Sequence, residues 1–263
     1  MSDRVEMAVA DGVAEVRLNR PEKLNALDFA TFDLLVEAGE TLAAMPGLRA
    51  VVLSGNGRSF SVGIDLEALA SGGESALSNL ALRTHGDANL FQQVALQWRN
   101  LPVPVIAAIH GHALGGGMQL ALGADIRIVA PNARLSVREV AWGLIPDMAG
   151  TLLLRQLVRS DVMRDLLFSG RIVTGEDALE LGLATRLATD PLAAASQLAR
   201  EIAAHSPDAV QAAKRLVNDG GAGVSDRDML LAEAAEQQAL LASSNHREAL
   251  RAHAEKRPPV YRH

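Results

Sequence analysis

"HGHALGGGMQLALGAD", residues 110–125, holds the reading from which the rest of the chain follows. The preceding "VPVIAAI" reads as a buried strand, with Pro104 near its start or at an edge. Residues 118–123 read as a short helix, and "DIRIVA", 125–130, alternates as another strand. Gly115, Gly116 and Gly117 open that helix. A helical glycine costs about 1 kcal/mol relative to alanine, so three together need a reason. Bare residues at a helix N-terminus let a developing anion reach unpaired N–H groups and the positive end of the helix dipole. They also let a helix and a strand pack closely. This stretch leaves both reasons open.

The chain has 263 residues, enough for one large domain or one domain with a small appendage. Hydrophobic residues make up 49% and aromatics only 3%, so the core must be mainly aliphatic. The net charge is −6 with acids spread along the chain, which argues against a nucleic-acid groove. There is no cysteine, which removes disulfides, zinc–thiolate sites and thiol nucleophiles and fits a reducing compartment. The opening "MSDRVEMAVADGVAEVRL" alternates charged and apolar residues and is no signal peptide. The apolar run at 103–109 is too short to span a bilayer. These features point to a soluble, cytoplasmic protein with no membrane partner.

Val5, Met7 and Val9 alternate ahead of Asp11-Gly12 and a second run at 13–18, a hairpin signal. Residues 28–45 have helical spacing, with Phe29, Phe32, Leu35 and Val36 on one face. Gly39 falls within that apolar stripe, where it admits a neighbouring backbone. "RAVVLSG", 49–55, reads as a buried strand entering the loop "GNGRSFSVGIDL". Residues 77–101 read as mostly helical, as do 151–170 and 174–182, the last with a capping box at Thr174 and Asp177. A short strand at 183–188 precedes helices at 191–205, 207–218, 225–243 and 245–256. Strands early and helices late suggest a core over 1–195 and a helical appendage over 196–263.

Several signatures are absent. No G-x-G-x-x-G follows a first strand, and no P-loop occurs. "SFSVG" around Ser61 lacks the first glycine of a nucleophile elbow, which argues against a serine hydrolase. His110 and His112 flank Gly111 with no carboxylate nearby in sequence, so core or interface roles are favoured over metal ligation. Trp98 and Trp142 read as packing residues.

Three segments together, "FSVGIDL" (60–66), "PVIAAIHGHALGGGMQLALGADIRI" (104–128) and "REVAWGLIPDMAGT" (138–151), resemble the crotonase superfamily, the enoyl-CoA hydratase/isomerase family. "RPEKLNAL" at 20–27, "FSGRIVTGEDALELGLA" at 168–184 and "HAEKRPPV" at 253–260 agree. The resemblance covers nearly the whole chain. It implies an α/β (α+β) fold: a crotonase-like spiral of ββα turns in two sheets, with a helical C-terminal trimerisation region. Assembly as a homotrimer or homohexamer is implied as well.

The resemblance also implies an acyl-CoA thioester substrate whose enolate oxygen is held by two backbone N–H groups. Those of Val62 and Gly116 are the expected donors, within a substrate-binding set that includes Gly63, Ile64, Asp65 and Gly115. Family hydratases hold water between two glutamates. Here one matching position is Glu139 and the other is Gln119, an amide that can orient water but cannot take its proton. Asp147 stands where hydratases usually have glycine, and an acid there resembles dienoyl-CoA and ring-opening isomerases. Aryl-CoA dehalogenases share that aspartate but carry tryptophan at the position of Glu139. A carboxylate pair suits removal and return of a proton, so the expected activity is acyl-CoA double-bond isomerisation, with Glu139, Asp147 and Gln119 at the catalytic site. Hydration is the alternative, and a catalytically silent acyl-CoA binder a further one. Arg20, Lys23, Leu24, Ala26 and Lys256 are the expected CoA contacts. No metal or separate cofactor is implied, CoA being part of the substrate. RNA binding through a lysine-rich first helix is disfavoured, because residues 28–45 contain neither Lys nor Arg.

Overall fold

The computed structural model describes residues 4–77, 80–220 and 223–262. β1 (Val5–Ala10) and β2 (Val13–Leu18) pair antiparallel, and the intervening Asp11 and Gly12 both take positive φ, 51° and 78°. Asp-Gly favours such a turn because its twist matches that of the flanking strands. Ala14, Val16 and Leu18 are buried, as the alternation requires.

The remaining strands are β3 (Ala50–Gly55), β4 (Val105–Ile109), β5 (His112–Leu114), β6 (Ile126–Val129), β7 (Arg134–Ser136), β8 (Val173–Thr174) and β9 (Arg186–Leu187). Six form one sheet in the order β1-β2-β3-β4-β6-β9, parallel from β2 onward. The other three form a second sheet, β5-β7-β8. Parallel neighbours need long crossovers. α1 (Phe29–Ala43) supplies the first, and α2 (Leu66–Leu77) with α3 (Leu90–Asn100) the next. α4 (Gly116–Leu122) joins β5 to β6.

α1 starts at Asp28, whose carboxylate accepts from the Thr31 N–H at 2.9 Å and so caps the first turn. Its apolar face packs on α3, where the Phe32 and Phe91 rings meet edge-on at 5.2 Å with Phe29 alongside. This aromatic knot, with buried Phe60 and Trp98, sits in a core that is otherwise mainly aliphatic. Gly39 admits a side chain rather than the expected backbone: a Cβ there would lie 2.1 Å from Oε1 of Gln97. The Gln97 amide donates from Nε2 to the Leu35 carbonyl at 2.8 Å.

Two expected helices are divided. Within 77–101 the described helix is α3, begun by a capping box in which Asn89 and Gln92 bond each other's backbone N–H. Residues 151–170 hold α5 (Gly150–Leu154) and α6 (Ser160–Ser169), separated where Arg159 turns extended at ψ 152°. α7 (Gly175–Leu181) has the expected Thr174/Asp177 box.

α8 (Pro191–Ala203) crosses the expected boundary at 195/196. Its Ala195 and Ala199 are fully buried with Ala50, Val52, Ile106 and Ile128, so α8 belongs to the sheet's own core. α9 (Pro207–Asp219) is pinned by buried Lys214, whose Nζ donates to the carbonyls of Trp98 (3.1 Å) and Val103 (2.8 Å) and to Asp125 (2.7 Å). α10 (Asp226–Ala242) and α11 (Ser244–Ala254) complete the chain, and α10 buries no residue. Among the described residues no helix is long and apolar enough to cross a membrane.

Candidate active site

The three glycines serve three separate needs. Gly115 caps α4 at φ 52° and ψ −123°, a region that side chains exclude. Gly117 presses on the loop that follows β3: a Cβ there would lie 2.6 Å from the Ser61 carbonyl oxygen. Gly116 faces the pocket, where a Cβ would lie 2.9 Å from Met148 Sδ and 3.7 Å from the Ile64 nitrogen. Close packing and an approachable N–H are both present, on adjacent residues.

The facing loop is fixed against β5 by the Ser61 N–H to the His112 carbonyl (2.9 Å) and the Leu114 N–H to the Ser61 carbonyl (3.0 Å). The buried Ser61 hydroxyl donates to the Asn25 carbonyl and accepts from the Gly63 N–H. Gly63, at φ 91°, has no room for a Cβ beside the Leu114 carbonyl. This bracing corrects one expectation. The Val62 N–H is spent on the Leu24 carbonyl at 3.1 Å and is not free to bind a substrate oxygen. The neighbouring N–H groups of Ile64 and Gly116 have no hydrogen-bond partner among the described residues. Those two now form the candidate donor pair.

Gln119, one turn into α4, is buried and fully oriented. Its Oε1 accepts from the N–H groups of Met148 (2.8 Å) and Gly150 (3.1 Å), so its Nε2 must turn the other way and donates to Glu139 Oε1 at 2.5 Å. Glu139 opens a 3-10 turn, Glu139–Trp142, and its other oxygen, Oε2, is buried without a partner. Burial pushes the Glu139 carboxyl above the usual carboxylate range; the Gln119 hydrogen bond opposes this, and the nearby Asp147 charge adds to it. Burial likewise raises Asp147.

Glu139 lines a pocket of about 170 Å³ together with Val62, Ile64, Leu66, Leu114, Gly115 and Gly116. Leu69, Arg138, Trp142 and Leu144 complete its wall. Asp147 is close enough to act on the charge of Glu139 but is not among the residues that line this pocket. Trp98 is fully buried, as a packing residue should be. Trp142 instead is 59% exposed at the pocket, beside exposed Leu144 and Ile145. Arg138 and Leu66 fall within the family segments at 138–151 and 60–66 but are not among the site residues expected from them, and Leu69 lies outside them.

The expected CoA contacts divide. Arg20 is committed within the fold: it pairs with Asp28 and Asp65 and donates to the Ala26 carbonyl. Asp65 in turn accepts the Glu67 and Ala68 N–H groups at the start of α2, so it is a structural cap. Leu24 and Ala26 contribute backbone carbonyls to Val62 and Arg20. Lys23 sits at the surface in a pair with Glu67 at 2.8 Å, and Lys256 lies at the surface two residues past the end of α11. His110 bonds the Gly57 carbonyl and His112 the Ser59 hydroxyl, each at 2.9 Å. No group of His, Asp or Glu that could hold a metal occurs among the described residues.

Two sheets, a glycine-opened helix between β5 and β6, and unpartnered N–H groups beside an apolar pocket make up the crotonase architecture of this chain. The chain superposes on an enoyl-CoA hydratase from Bacillus anthracis with TM-score 0.89 and 29% identity, covering 98% of each chain. An enoyl-CoA hydratase from Mycobacterium tuberculosis H37Rv gives TM-score 0.87 and 32% identity over 99% of each chain. The family model described as enoyl-CoA hydratase/isomerase matches residues 8–263, and the chain belongs to that family. It is also 38% identical over 212 residues to the mitochondrial Delta(3,5)-Delta(2,4)-dienoyl-CoA isomerase of Mus musculus, covering 77% of this chain and 64% of the mouse protein.

The glycine assignments make a prediction. Gly117→Ala forces the Ser61 backbone away from α4 and is expected to lower stability by about 1–3 kcal/mol, the cost of overpacking. Denaturant unfolding measures this; unchanged stability would show that the loop yields freely.

Proposed function

We propose that the chain is an acyl-CoA double-bond isomerase in which Glu139 carries the proton. The thioester oxygen would sit against the Ile64 and Gly116 N–H groups. Glu139, as carboxylate, takes a proton from C2 of a 3-enoyl thioester, and the electron pair delocalises to give a dienolate at that oxygen. The same proton is returned at C4, leaving the 2-enoyl thioester. Each such N–H donor is worth on the order of 3 kcal/mol in the transition state.

The orientation of Gln119 carries this reading. Two backbone N–H groups fix its oxygen, so it presents only an NH₂ group to Glu139 and offers no second base. A hydratase with two glutamates has two groups to activate and deliver water; here one carboxylate remains in the pocket. A raised Glu139 pKa makes it a better base near neutrality. The likeness to a dienoyl-CoA isomerase supports the same reading, while the two hydratase structures keep hydration as the alternative.

CoA would be bound as part of the substrate, with Lys23 and Lys256 as the candidate contacts still at the surface. We also propose a homotrimer or a dimer of trimers. α10 buries none of its residues, and Leu230, Leu231 and Leu241 on it are more than half exposed. The absence of cysteine supports a reducing compartment such as the cytoplasm.

Three measurements test these proposals. Glu139→Gln is expected to lower isomerisation by roughly 10²–10⁴-fold, the range for a general acid–base group. Because the working form is the carboxylate and its pKa is raised, activity should fall as pH drops through a value above the ordinary glutamate range. The linked stability runs oppositely: the neutral acid is the better buried form, and its contribution is lost as pH rises through the raised pKa. Glu139→Gln should therefore be no less stable than the natural chain at neutral pH.

Gln119→Glu tests the alternative. Its carboxylate would keep the Met148 and Gly150 bonds and set its other oxygen against Glu139, where one proton must be shared. The ratio of crotonyl-CoA hydration to 3-enoyl-CoA isomerisation should be low in the natural chain and rise in the variant. A natural chain that hydrates far faster than it isomerises replaces the isomerase reading with the hydratase one. For assembly, light scattering at micromolar protein should give three or six chains, and a monomer overturns the proposal.

A further inference from the structure

Arg138 is the one basic side chain on the wall of the pocket that holds Glu139. Its Nε is buried and has no hydrogen-bond partner, and among the described residues its guanidinium forms no ion pair, even with adjacent Glu139. Arg17 also has a buried, unpartnered Nε, but its guanidinium pairs with Glu15. Arg127 donates to the carbonyls of Leu183 (2.6 Å) and Ala124 (2.7 Å), and Arg20 pairs with two aspartates. Apart from Glu139 the side chains that share the wall with Arg138 are apolar, among them Val62, Leu66, Leu69, Leu114 and Leu144. A guanidinium is always charged and presents a planar fork that matches a carboxylate. Half-buried at the pocket wall and without an ion pair among the described residues, it gains most from an anion that arrives with the ligand.

We propose that Arg138 is a specificity residue that binds a carboxylate at the far end of the acyl group. The preferred substrate is then the CoA thioester of a short dicarboxylic acid, short because the pocket measures about 170 Å³. This rests on the acyl-CoA reading above. The thioester oxygen has its own donors at Ile64 and Gly116, so the guanidinium is left for the other end of the chain. An uncharged chain of the same length would fill the apolar wall and displace water from the accessible terminal nitrogens of Arg138 without replacing their hydrogen bonds. The discrimination therefore includes a penalty against the wrong ligand as well as a gain from the right one.

The test is binding of saturated, unreactive thioesters by titration calorimetry: glutaryl-CoA against butyryl-CoA, and adipoyl-CoA against hexanoyl-CoA. The natural chain should bind the carboxylated member of a pair at least about tenfold tighter, as a charge-assisted bidentate pair implies. Arg138→Met, which keeps the apolar stem, should abolish that preference while still binding butyryl-CoA. Arg138→Lys, which keeps the charge but loses the fork, should retain only part of it. Absence of preference in the natural chain overturns the proposal, whether or not the variants fold. Equal weakening of both thioesters in Arg138→Met also overturns it, placing the guanidinium on the shared CoA portion. Failure of the isomerase reading is told apart: 3-enoyl-CoA would go unconverted while the carboxylate preference persisted. If none of the four thioesters binds, both readings fall.

Discussion

Two backbone N–H groups, those of Met148 and Gly150, converge on the amide oxygen of Gln119, and the site depends on that convergence. It ties α4 to the segment carrying Glu139, although 20 residues separate Gln119 from Glu139 in sequence. Gly150 makes the approach possible, since a Cβ there would lie 2.6 Å from the amide oxygen. Ala149 turns the chain into α5 in the left-handed region, φ 60°, to aim both donors. With its oxygen doubly bonded, the amide has a single orientation. Its NH₂ meets Glu139, and one carboxylate oxygen is left unpaired in a buried setting where an unmade hydrogen bond is costly. That cost is tolerable where the group's work is to exchange a proton with a bound molecule.

The helix that bears Gln119 is equally constrained at its other end. Gly115 provides a backbone conformation, Gly116 a clear approach to an N–H, and Gly117 close contact with the Ser61 loop. The loop answers with its own fixed order. The Val62 N–H goes to Leu24, the Gly63 N–H to Ser61, and the Asp65 N–H to Leu27, leaving Ile64 unclaimed between them. Arg20 and Asp65 hold this arrangement from below through an ion pair at 3.1 Å, with both side chains largely withdrawn from water. The polar residues around the pocket therefore act mostly as braces. Glu139 and Arg138 are the charged ones on its wall.

The sequence by itself determined the elements whose signals are local. The Asp11-Gly12 hairpin, the buried run of β3, the Asp28–Thr31 start of α1 and the Thr174 capping box all arise from neighbours a few residues apart. The Asn89/Gln92 box is of the same kind and was legible too, though the helical spacing around it obscured it. The family motifs added the overall fold and the positions of Gly116, Gln119 and Glu139. β5, β7 and β8 gave no such signal, because strands of two or three residues are too short to show a period.

The tertiary structure decided what each polar group is free to do. Val62 and Ile64 look alike as candidate donors in the chain. Only the Leu24 carbonyl, brought close by the folding of residues 20–27 against the loop, removes one of them. Arg20 reads as a CoA contact until Asp28 and Asp65 close on it. Asp147 reads as a partner of Glu139 inside the pocket, and folding leaves it off the pocket wall while its charge still acts on Glu139. Gln119 reads as a lost acid, and folding makes it a fixed donor. A hydrogen bond or ion pair between distant residues depends on where the backbone carries both partners, and local sequence specifies only one of them at a time.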